Sequence, residues 1–104
     1  MDNRKPEAIK EHLNWIAQND YDTITQGHKG AITGLLEKLC HGRRKELLNY
    51  LYGKKSSKLL TEGEWYALSR WLRTDKIDDQ WVIAEWVPGE IEAILNRPKE
   101  FRFD

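Results

Sequence analysis

At 104 residues and 12.3 kDa, the chain fits one domain around a single core. Its 17 Lys+Arg balance 17 Asp+Glu, which excludes a histone-like basic tail and an acidic solvating protein, since both need a large imbalance. The 39% hydrophobic content, spaced at helical intervals, excludes a disordered chain even though 33% of the residues are charged.

Leu occurs twelve times and Val twice, a bias toward side chains that lose little rotamer freedom in a helix. The first predicted helix runs from Pro6 to about Ala17, with Ile9, Leu13 and Ile16 on one stripe. Asn19-Asp20-Tyr21-Asp22 then breaks the pattern. A second helix is expected over roughly Thr25–His41, carrying Ile32, Leu35, Leu36, Leu39 and Cys40 on one face, with Gly42 as its C-terminal cap. Gly27, Gly30 and Gly34 weaken its first half, and either permit close helix approach or fray. A third helix, Arg43–Tyr52, repeats the Leu-Leu-x-x-Leu pattern and ends at Gly53.

The fourth helix has the strongest local signal. Thr61-Glu62-Gly63-Glu64 fits a capping box, and Leu60 and Trp65 hold the two positions of a hydrophobic staple. Trp65, Leu68, Trp71 and Leu72 form its core stripe, and Thr74-Asp75 ends it. In the C-terminal third, Asp78 is expected to cap a short helix through Trp86, with Trp81, Ala84 and Val87 inward. Residues Trp81 to Val87 read alternatively as a strand, but without a second candidate strand to pair with. Ile91, Ile94 and Leu95 then form a helical face closed by Pro98, leaving a tail with Phe101 and Phe103. The expectation is therefore an all-α single domain of four to six short helices over residues 1–104. Within it lie a core module at 25–73, a helical extension at 77–96 and a tail at 97–104.

Catalytic and metal signatures are missing from the sequence. His12, His28 and His41 sit on three different segments without the spacing of a helical zinc site, so no metal and no cofactor are expected. Cys40 shares the apolar face of Leu36, which suits an inert, buried thiol rather than a nucleophile. Gly53-Lys54-Lys55-Ser56-Ser57-Lys58 resembles a phosphate loop only superficially, since Leu48 stands where the earlier Gly is required. A single Cys forbids an intramolecular disulfide, and the simplest setting is a reducing, cytoplasmic one. No apolar run nears the ~18 residues of a membrane span, and no secretory signal is expected behind Met1–Pro6. The expected function is non-enzymatic.

Charge distribution says more than charge total. From Lys38 to Lys58 there are seven basic residues against one acid: Lys38, Arg43, Arg44, Lys45, Lys54, Lys55 and Lys58, with Glu46 opposing them. Tyr66, Arg70 and Arg73 follow at i, i+4 and i+7 on the fourth helix. Cations beside aromatics suit a nucleic-acid backbone, because Lys and Arg displace condensed counterions and Tyr can stack on an unpaired base. The bland counterpart is a solvated helical face.

Three strings carry a family resemblance: Thr25-x(6)-Ile32-x-x-Leu35, Gly53-x-x-Ser56-Ser57-Lys58-x-Leu60-Thr61, and Glu64-x(3)-Leu68-x-x-Trp71-Leu72. Together they resemble small helical modules found beside phage single-strand annealing and recombination proteins, and are similar in style to uncharacterised proteins of bacteria and their phages. Trp65-Tyr66 departs from that pattern, and residues 74–104 lie outside it. The resemblance implies a DNA-processing accessory and transfers no catalytic residue. The expected partner is single- or double-stranded DNA. The alternative is a protein-interaction or assembly module, partnered by another protein or a second copy, with Trp81, Trp86, Phe101 and Phe103 as its surface.

Overall fold

The computed structural model describes residues 4–96, with side chains from Pro6 onward. Pro98, Phe101, Phe103 and the rest of the expected tail lie outside the described residues. The elements are α1 (Arg4–Asn19), α2 (Gln26–Leu39), α3 (Arg44–Tyr52), a single 3-10 turn (Ser57–Leu59), α4 (Glu62–Leu72), a hairpin of β1 (Asp75–Ile77) and β2 (Gln80–Val82), and α5 (Val87–Leu95). The fold is mostly α, and five helices fall within the expected number. No helix among the described residues is long and apolar enough to cross a membrane.

The caps explain why the helices begin and end where they do. Thr25 Oγ1 accepts from His28 N at the start of α2, and Gly53 closes α3 in the left-handed region at φ 67°. Both halves of the Thr61–Glu64 capping box form, at 3.1 and 2.8 Å, with Leu60 and Trp65 buried on either side. Leu13, Ile16, Ile32, Leu36, Leu47, Leu51, Leu68, Leu72, Ile91 and Ile94 fill one continuous core.

Helix α1 packs against α3, α4 and α5, most extensively against α4, and at Gly63 the backbones of α1 and α4 come close. A Cβ at that position would stand inside the Ala17 carbonyl, 2.9 Å from its carbon and 3.1 Å from Ala17 Cα. Glycine here removes the obstacle that would otherwise hold the two helices apart. The glycines singled out in α2 do no such thing. Gly30 and Gly34 have nothing within 4 Å of a would-be Cβ.

The expected helix from Asp78 to Trp86 is not formed. That stretch supplies β2, and its partner strand is Asp75–Ile77, in antiparallel register with Lys76 opposite Trp81 and Ile77 opposite Gln80. The reason is the connection. Asp78 and Asp79 take φ values of 51° and 63°, so both central residues of a two-residue loop are left-handed, as a type I′ hairpin turn requires. Asp tolerates that region better than most residues, and a helix capped at Asp78 cannot pass through it. After β2, the Ala84 N–H donates to Leu72 O at 3.1 Å and ties the returning chain to the end of α4. Pro88 lies in the first turn of α5, where its missing N–H costs no hydrogen bond.

Candidate nucleic-acid interface

The seven basic residues between Lys38 and Lys58 divide into two groups. Arg43 donates through Nε and Nη2 to Glu46 Oε2, at 3.0 and 2.7 Å, and through Nη2 to Leu95 O at 3.0 Å. It is a strut between the start of α3 and the end of α5. Arg44 pairs with Glu37 of α2 at 3.1 Å, and its Nε is buried without a hydrogen-bond partner among the described residues. Lys54 Nζ lies 3.7 Å from the buried Glu64 carboxylate and 3.4 Å from Leu59 O. The remaining four, Lys38, Lys45, Lys55 and Lys58, are exposed and have no ion pair among the described residues. Lys45 starts the exposed stripe of α3 that continues through Asn49 to Gly53, and Lys55 and Lys58 follow beyond its far end. At 1.5 Å per residue that helix separates the groups by roughly 14 Å.

Along α4, Glu62 and Arg70 are exposed and Tyr66 is half-buried between them. The Tyr66 ring packs against the core, and its hydroxyl accepts from Arg70 Nη1 at 3.4 Å. The Arg70 guanidinium sits 5.8 Å from the Tyr66 ring centroid and 4.0 Å from an Asp20 carboxylate oxygen. Tyr66 therefore offers little free surface for a base. Arg73, in the left-handed cap of α4, instead lies 5.2 Å over the ring of Trp86, which is 54% exposed. In the sequence, Trp86 stands at the end of an expected helix and among the four aromatics of an assembly surface, and nothing in its spacing pairs it with Arg73.

A third cluster has no signal in the residue spacing of the sequence. His28 Nε2 lies 2.7 Å from Thr74 Oγ1 and 3.2 Å from Ser69 Oγ, and the two hydroxyls are 3.0 Å apart. The His28 ring stacks on Trp81 at 4.3 Å and 13°. Burial lowers the His28 pKa from its ordinary value. A Ser–His contact is one part of a nucleophilic site, but no carboxylate contact to the imidazole is present among the described residues. The cluster instead joins α2, α4 and the hairpin, with Trp81 turned inward by the same register that puts Ile77 and Val82 outside.

Cys40 is fully buried, and desolvation pushes its thiol up to about 11, with Glu37 adding to the rise. That leaves it protonated and unreactive near neutral pH. It forms part of the floor of a cleft of about 530 Å³ between the α2–α3 turn and α5, beside Lys38, His41 and Arg43. No group of three or more metal-ligating side chains converges among the described residues. No family model, curated protein or solved structure matches the chain.

Proposed function

We propose that the chain is a small, non-enzymatic accessory module of the cytoplasm that associates with nucleic acid, with DNA as its partner in a phage or mobile-element setting. The observation that carries this reading is the four exposed lysines, Lys38, Lys45, Lys55 and Lys58, left without counter-charges among the described residues while the arginines around them are held in ion pairs. Lysines of this kind replace the counterions condensed on nucleic-acid phosphates and release them to solution.

Direct titration against single- and double-stranded oligonucleotides tests the reading. With about four phosphate contacts, log affinity should fall against log salt with a slope of roughly −2.8 on single strands and −3.6 on duplex. Replacing the four lysines by Ala should flatten the slope and leave the melting temperature nearly unchanged, because exposed charges contribute little to folding. Absence of binding at low salt overturns the proposal.

One observation favours a second reading. Ile77 and Val82, 54% and 38% exposed, share the outer face of the hairpin and suit a protein partner or a second copy. Concentration-dependent sedimentation in the absence of nucleic acid would support that assembly role.

A further inference from the structure

We infer that Trp86 is a stacking platform for an unpaired base, with Arg73 and Arg70 receiving the adjoining phosphates. The inference rests on the nucleic-acid reading above and narrows it from a charged surface to a place that distinguishes single strands from duplex.

The local backbone holds the indole outward. Val87, the next residue, is fully buried, and Ala84, two residues before, packs against the core. The Val87 N–H donates to Ala84 O at 3.2 Å, and Trp86 O accepts from Glu90 N at 3.2 Å as α5 begins. Trp86 is thus fixed at the backbone on both sides while more than half of its side chain stays in water. An indole held in this way loses little further freedom on binding. Arg73 holds its guanidinium over the ring at 5.2 Å, and a base stacked on the part of the ring that this contact leaves exposed brings its phosphate toward that charge.

Arg70 lies three residues before Arg73, in the last turn of α4, and is a second exposed cation. Its partner Asp20 is an exposed carboxylate at 4.0 Å, a pair weak enough for a phosphate to displace. A purely apolar protein partner would have to strip water from both guanidinium groups, whereas a nucleotide meets the ring and the charges together.

The test uses the full chain and three probes of equal length: a thymidine 12-mer, an abasic 12-mer with the same phosphates, and a 12-base-pair duplex. Trp86→Ala should weaken the thymidine strand by roughly five- to thirtyfold. The abasic strand and the duplex should change less than twofold, and Trp86→Phe should retain most of the thymidine affinity. Equal loss on all three probes would mean that Trp86 acts through the fold or through Arg73 alone, and would overturn the platform. Unchanged thymidine binding with the salt slope intact would also overturn it while leaving the basic-face reading standing. Failure of the wild-type chain to bind any probe at low salt would remove both.

Discussion

Gly63→Ala separates two opposite expectations for one methyl group. Helix propensity alone favours Ala over Gly by about 1 kcal/mol. The structure predicts the reverse, because the new Cβ would overlap the carbonyl of Ala17 and stand 2.9 Å from its carbon. Ala17 is part of α1, so the obstacle is helical backbone and not the end of a flexible side chain. Relief requires α1 and α4 to part by about an ångström, and a gap of that size forfeits a quarter to a half of the dispersion across the contact. Overpacking of this kind costs about 1–3 kcal/mol, and the rigid obstacle places Gly63→Ala near the upper end. The expected melting temperature falls by roughly 10–20 °C. Gly34→Ala is the control, since nothing lies within 4 Å of its Cβ, and it should stabilise the chain by about 0.5–1 kcal/mol. Urea denaturation of the three proteins decides the matter. Gly63→Ala that matches or exceeds wild type would refute the close approach of α1 to α4.

Thr61→Ala should destabilise by about 1 kcal/mol by removing the hydroxyl that accepts from Glu64 N, read as a lowered urea midpoint with unchanged slope. Because the folded pKa of His28 lies below its ordinary 6.5, the neutral clasp contributes fully above that pH and its contribution is lost as pH falls below it toward the folded value. The stability difference between wild type and His28→Gln should therefore shrink from pH 7.5 to pH 5, and a His28 NMR titration midpoint at or above 6.5 would contradict the assignment.

The parts of the fold legible in the sequence are those decided within a few residues. The capping box at Thr61 and the left-handed Gly53 need no information from elsewhere in the chain, and both form as expected. Leu13, Ile16, Leu36, Leu68 and Leu72 are buried because a 3.6-residue period places them on one side of each helix. The hairpin escaped for the same reason in reverse. Its strands have three residues each, too few to show a period of two, and its turn is Asp-Asp rather than the Asn-Gly or Asp-Gly that advertises type I′ geometry. What stabilises it is largely non-local: Trp81 on His28, and Ala84 N on Leu72 O.

Charge follows the same division. The count of seven basic residues over Lys38–Lys58 is a property of the sequence, but which of them remain available is a property of the packing. Glu37 claims Arg44 across the α2–α3 turn, Leu95 O claims Arg43 from a position 52 residues away, and Glu64 draws Lys54 toward the start of α4. Each of these acceptors lies at a joint between helices, and the cations that face them are partly withdrawn from water. The arginines are the ones held at the α2–α3 and α3–α5 joints, consistent with the planar fork that suits buried pairing, and the free residues are all lysines. A surface of free lysines binds phosphate as point charges and reads no sequence. On the proposed nucleic-acid reading, discrimination then comes from elsewhere on the surface, and the exposed indole of Trp86, with Arg73 over its ring, is the planar group proposed for it.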